Sequence, residues 1–228
     1  MLHFPRRIWQ VDPQKRSRPD MNFTFDDILR EQVASNLAAF EHQQIDGEGM
    51  RHAAVALTVI AGDTPEDGAA MLLTRRTSKL NKHAGQWALP GGRVDPGEAP
   101  YDAALREMRE EINLELDESA FLGRLDDISS RSGYVISPYV FWAHDLSAMA
   151  PNPDEVASIH RIPLGLFGGV DAVQFIEVEG QTEKLLRLQL GPHRIHAPTG
   201  AFLLQLWEVG VHGRPTRVRH HLQPDWAK

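Results

Sequence analysis

Three glutamates, Glu107, Glu110 and Glu111, stand in the run Gly91 to Leu114, GGRVDPGEAPYDAALREMREEINL. If that run is helical, a spacing of i, i+3, i+4 places all three carboxylates on roughly one face. Charges gathered so closely repel one another, so the face either meets bulk water or holds a cation. A pair of neighbouring glutamates alone would ordinarily mark a solvated face. The wider pattern adds more polar and glycine positions, with five residues between Gly92 and Glu98 and seven more between Glu98 and Arg106-Glu107. Carboxylate oxygens in such number suit Mg²⁺ or Mn²⁺, ions that generate a water nucleophile and neutralise phosphoryl charge.

The elements that must position these acids are legible around them. Good helix formers dominate after Pro100, and Asn113 sits where a left-handed residue could close the helix. Before this stretch, Phe25, Ile28, Leu29, Val33, Leu37 and Phe40 recur at near-helical spacing, with Thr24 as cap and Asp27 three residues on. His52 to Ile60 and Ala70 to Arg75 read as strands able to pair as a hairpin. Beyond the acidic helix, Phe121 to Leu125, Tyr134 to His144 and Val156 to Ile162 are further strands. The second of these is nearly continuously apolar and is expected to be central, with Pro138 marking a bulge or an edge. Val173 to Val178 and Leu185 to Leu190 suggest another hairpin, and Pro198 to Val209 a last helix with proline near its start. Strands interleaved with helices and hairpins predict an α/β (α+β) fold, a mixed sheet sandwiched between helices.

Composition narrows the function. A net charge of −7 gives no electrostatic footprint for nucleic acid, so an anionic substrate needs local help from a metal or from clustered Arg and Lys. The absence of cysteine excludes disulfides, thiolate zinc sites and cysteine nucleophiles. No apolar run approaches the roughly 20 residues of a membrane span, and MLHFPRRIWQ lacks the apolar core of a secretory signal. A cytoplasmic location without membrane contact is therefore expected. Residues 1–20 read as a flexible basic arm, and residues 21–228 as a single domain. No GxGxxG, GxxxxGK[ST] or GxSxG is present, which removes the common phosphate loops and the serine hydrolase elbow.

The pattern from Gly92 through Glu98, Arg106-Glu107 and Glu110-Glu111 to Leu114 resembles the Nudix box, with Asn113 in place of the family's usual glycine. The resemblance implies the Nudix fold, an α/β/α sandwich, and a pyrophosphohydrolase using Mg²⁺ or Mn²⁺. It implies metal ligation chiefly by Glu107, Glu110 and Glu111, assisted by Glu98 and a loop carbonyl near Gly91 or Gly92. Arg106 would pair with an acid and fix its rotamer. Glu107 and Glu155 are both candidates for the general base.

Upstream, Leu72-Leu73-Thr74, Arg76-Thr77, Leu80 and His83-x-Gly85-Gln86 running into Pro90-Gly91-Gly92 resemble the additional motif of coenzyme A pyrophosphatases. Downstream, Leu125-Asp126-Asp127-Ile128, Gly133-Tyr134, Ser137-Pro138 and NPDEVASIHRIPLGL from Asn152 to Leu166 are similar to the same group. The chain departs from that group at Trp87-Ala88-Leu89 and at His196-Ala197-Pro198-Thr199, positions that bear on pocket shape. On this likeness Arg76, Lys79, Lys82, His83 and Gln86 form the substrate-binding set, the cationic side chains meeting a diphosphate and a 3′-phosphate. The small nucleotide-like substrate would be coenzyme A or a derivative, the enzymatic alternative being ADP-ribose or a dinucleotide. Homodimerisation is common in the resembled family. A non-catalytic ligand-sensing module is the reading of a different class. It is disfavoured because all of Glu98, Glu107, Glu110 and Glu111 are kept.

Overall fold

The computed structural model describes residues 23–77, 85–177 and 185–218. The basic arm expected over residues 1–20 lies outside them. The apolar run after Arg51 forms the central strand β1 (Arg51–Ala61), which pairs antiparallel with β2 (Ala69–Arg76) only at its far end, Val59 facing Met71. Its other edge runs parallel to β7 (Tyr134–Trp142) over its whole length, from Arg51 opposite Tyr134 to Val59 opposite Trp142. Where β1 and β2 separate, one short segment fills the gap. Its first part, β3 (Trp87–Ala88), pairs with β2, and its second, β4 (Gly91–Arg93), pairs with β1. This wedge sets Gly91 and Gly92 against the middle of the sheet.

The sheet continues through β5 (Phe121–Arg124) and β6 (Ile128–Ser129), both antiparallel to β7, and through β8 (Val156–Pro163), antiparallel to β2. Pro138 sits inside β7, opposite Val55 on one side. On the other side the pairing is broken: Arg124 faces Tyr139 and Ile128 faces Ile136, so the partner segment carries one extra residue. The proline with no N–H to give lies at that bulge.

Helix α1 (Asp27–Ala38) precedes the sheet, and α2 (Pro100–Ile112) follows β4. One face of the sheet carries α2. Ala103, Ala104, Met108 and Ile112 bury against Ala54, Ala56, Ile60, Ala70 and Leu72. Small side chains on both partners let the helix lie close, and burial of Met108 and Ile112 contributes roughly 2 kcal/mol each. The opposite face, with Leu57, Val59, Met71 and Leu73, is covered by α1, by α3 (Thr199–Gln205) and by the π-helical turn Leu206–Val211 that continues it. Helices on both faces of a mixed sheet make the expected α/β/α sandwich. No helix among the described residues is long and apolar enough to cross a membrane.

Four details differ from the sequence reading. Helix α1 is capped by Asp26, whose carboxylate accepts from Leu29 N–H at 2.9 Å, and not by Thr24. Phe25 is drawn out of the helical path because its ring stacks on Trp142, 4.4 Å between centroids. Ile28, expected on the apolar stripe, is 78% exposed, since only Leu29, Val33 and Leu37 of α1 turn inward. Finally, β9 (Val173–Ile176) and β10 (Leu185–Leu190) do pair, but β11 (His193–His196) joins them in a separate three-stranded sheet that nothing in HRIH announced.

Candidate metal and catalytic site

Helix α2 begins with Ala99 at its cap position and Pro100 in its first turn, where a missing N–H costs nothing. It ends at Asn113, which adopts φ 52° and ψ 38°, the left-handed conformation that asparagine tolerates better than other non-glycine residues. Between these ends the helix directs its acids into two different surroundings.

Glu107 and Glu111 turn toward the wedge and meet Glu155, which immediately precedes β8. One carboxylate oxygen from each lies within 4.8 Å of the others. The Glu111 side chain is only 3% exposed, with Arg76 Nη1 3.6 Å from its Oε1. Its Oε2 accepts from Gly91 N–H at 3.3 Å. Burial pushes the Glu111 carboxyl up to about 8; Arg76 and the Gly91 amide pull against this, while Glu107 and Glu155 add to it. Glu107 is also raised, first by burial, against the pull of Arg106 and with the help of Glu110 and Glu155. Gly92, in β4, faces this site without a side chain. A Cβ there would lie 2.2 Å from Glu107 Oε1, so the carboxylate occupies the space that glycine leaves.

Three hard oxygen donors so close together, one buried and two partly buried, are a poor arrangement for a protein to hold alone. They suit a divalent cation of the Mg²⁺ or Mn²⁺ type, which binds oxygen and supplies the missing charge.

The remaining acids gather around Arg106. Its guanidinium grips Glu98 through two bonds of 2.9 and 3.0 Å, reaches Glu107 at 2.9 Å and Glu110 at 3.1 Å, and donates to the Arg93 carbonyl at 2.9 Å. Glu98 also accepts from Asp95 N–H at 3.0 Å, closing the loop before α2. The bidentate Arg106 contact, followed by that amide, lowers the Glu98 carboxyl from its ordinary range. Glu110 is half exposed. Of the residues expected to hold metal, then, the structure brings Glu107 and Glu111 together with Glu155, and it sets Glu98 and Glu110 beside Arg106.

Of the expected substrate contacts, Arg76 lies at the carboxylates, and its backbone N–H is held by the Gln86 carbonyl at 3.0 Å. Lys79, Lys82 and His83 lie outside the described residues. A further cluster, not anticipated from sequence, lies on the opposite face of the sheet. There Trp87 packs edge-on against His160 and His193, at 4.7 and 4.9 Å, with the Arg75 guanidinium 4.8 Å from its ring. Period-two alternation along β2 separates Arg75 from Arg76 and could have signalled the split. The partners on β8 and β11 could not be read locally.

Comparison with known proteins identifies the family. The model of the NUDIX domain matches residues 50–179. An "Uncharacterized Nudix hydrolase NudL" of Photorhabdus laumondii is 35% identical over 159 residues, 68% of this chain and 83% of that protein. A protein of the same description from Yersinia enterocolitica is 39% identical over 114 residues, 50% of this chain and 56% of the relative. Among solved structures, a MutT/nudix family protein from Enterococcus faecalis aligns with a TM-score of 0.45 at 20% identity, over 64% of this chain and 51% of the other. The chain belongs to the Nudix hydrolase family.

Proposed function

We propose that this protein is a divalent-metal-dependent pyrophosphohydrolase acting in the cytoplasm on coenzyme A or a coenzyme A derivative, releasing 3′,5′-ADP and 4′-phosphopantetheine. The observation that carries the hydrolytic part is the convergence of Glu107, Glu111 and Glu155 within 4.8 Å. In this reading those three carboxylates hold Mg²⁺ or Mn²⁺, with Glu110, Glu98 and the loop at Gly92 completing the acidic surround. The bound ion supplies charge neutralisation at the phosphoryl oxygens and lowers the pKa of water. Arg76 contributes a fixed positive charge for the diphosphate, and its Nε is buried without a hydrogen-bond partner among the described residues, a donor left for an anionic oxygen. Arg106 holds Glu107 in position and keeps Glu98 ionised. Water adds its oxygen to one phosphorus, the bridging P–O bond breaks, and a carboxylate of Glu107 or Glu155 takes the proton.

The choice of coenzyme A rests on the additional motif, whose described residues lie on and between β2, β3 and β4. Incubation with coenzyme A, acyl-coenzyme A, ADP-ribose and NADH, with and without Mg²⁺ or Mn²⁺, followed by product mass analysis, tests it. Metal-dependent release of 3′,5′-ADP from coenzyme A is expected. Rapid turnover of ADP-ribose or NADH with coenzyme A left intact overturns the substrate, and no turnover of any of them overturns the enzyme.

A further inference from the structure

The last turn of an α-helix leaves carbonyls without partners, and in α2 these carbonyls are used to hold another segment. Glu111 O accepts from Asn152 N–H at 2.8 Å, and Ile112 O accepts from Ala150 N–H at 2.9 Å. The next residue, Asn113, has its backbone in the left-handed region, and its side-chain Nδ2 donates to Ala148 O at 2.7 Å. The last two helix positions and the cap residue after them thus clasp three alternate positions of one loop. The loop passes the constraint on: Glu155 N–H and Val156 N–H both bond to the Asn152 carbonyl, at 3.0 and 2.8 Å, and Glu155 O accepts from Thr77 N–H at 2.9 Å. Glycine, the residue the Nudix pattern ordinarily has at this position, would supply the left-handed turn but has no side chain with which to reach Ala148.

We infer that Asn113 is a positioning residue: its side chain completes a clasp between the end of α2 and the Ala148–Asn152 loop that sets Glu155 against Glu107 and Glu111. The inference rests on the proposed reading of those three glutamates as one cation site. Its physical logic is that Glu107 and Glu111 come from one rigid helix, whereas Glu155 arrives from a loop. The distance between helix and loop is set by these contacts, by the packing of Leu146 and Met149 against the core on the α2 side, and by the edge of β2.

The test compares wild type, Asn113→Gly, Asn113→Asp, Glu155→Gln and the double variant Asn113→Gly/Glu155→Gln. Glycine keeps the turn and removes the bridge, while aspartate keeps the shape and removes the donor. Three readouts are needed: amide hydrogen exchange over residues 146–156 in metal-free protein, Mn²⁺ affinity by calorimetry, and kcat and KM on the cleaved substrate. For both single Asn113 variants, exchange at Ala150 and Asn152 should accelerate, Mn²⁺ binding should weaken about fivefold, the equivalent of one exposed hydrogen bond, and kcat should fall with KM unchanged. In the Glu155→Gln background the glycine substitution should weaken Mn²⁺ binding no further. Unchanged exchange and affinity in Asn113→Gly, with Glu155→Gln impaired, overturns the clasp alone. Unimpaired Mn²⁺ binding and turnover in Glu155→Gln overturns the clasp and the three-glutamate reading together.

Discussion

Helix α2 carries two acidic clusters that differ in one respect, the company they keep. Around Arg106, Glu98, Glu107 and Glu110 share a guanidinium at hydrogen-bonding distance, and Glu110 stays half exposed. One turn further on, Glu111 is buried beside Glu107 and Glu155, with Arg76 at 3.6 Å as its cationic neighbour. The carboxylates of the first cluster are hydrogen-bonded to Arg106 and Glu110 is open to water, so the cluster can organise the loop before the helix without any ligand. The second gathers its negative charge around a buried Glu111 with the guanidinium at 3.6 Å, and negative charge uncompensated away from water is the physical reason to place a cation there. Glu107 belongs to both, linking the structural arginine to the reactive centre.

The contrast can be broken most sharply at Glu111. Glu111→Gln should retain the fold and lower kcat on the order of 10³-fold, since it removes a preorganised charge at the centre of the site; near-wild-type turnover would refute the assignment. Gly92→Ala comes next. Its methyl group would displace the flexible end of Glu107 without disturbing backbone, so turnover should drop on the order of 10²-fold while the melting temperature changes little. Glu110→Gln, altering an exposed carboxylate whose partner in the structure is Arg106, should cost on the order of 10-fold, and a loss as large as that of Glu111→Gln would erase the distinction between the clusters.

The smallest effect concerns stability against pH. The folded Glu111 carboxyl sits at about 8, above its ordinary value of 4.5, so the folded state binds the proton more tightly than the unfolded chain. The corresponding stability is fully present below 4.5 and is lost as pH rises through 8. Metal-free protein should therefore melt several degrees lower at pH 8.5 than at pH 6. The decrement should be absent in Glu111→Gln and largely restored by Mn²⁺ in the wild type. A melting temperature equally pH-dependent in both proteins would count against the buried, under-neutralised carboxylate.

Local chemistry made much of this legible. The apolar runs at β1, β2 and β7, the helix after Pro100 and the left-handed Asn113 all follow from propensity and short-range sterics, which depend on neighbours in the chain. So does the placement of Glu107 and Glu111 on one helical face. The cap at Asp26 is not legible locally, since Thr24 offers an equally good capping pattern and Phe25 between them is held by Trp142, distant in sequence. The three-stranded sheet was missed because β11 is four residues long and carries no strong strand signal.

Sequence by itself determined that this chain is a Nudix protein with an acidic helix delivered by a glycine loop, because fixed spacing along one helix is a property of the chain alone. Tertiary structure decided which acids are hydrogen-bonded to a guanidinium within reach of water and which are gathered around a buried carboxylate. Arg106 collects Glu98 and Glu110, the wedge of β3 and β4 brings Gly91 to Glu111, and the clasp at Asn113 carries Glu155 across from a loop more than forty positions later. Charge repulsion and burial depend on distances in space, and those exist only once the sheet and helix have met.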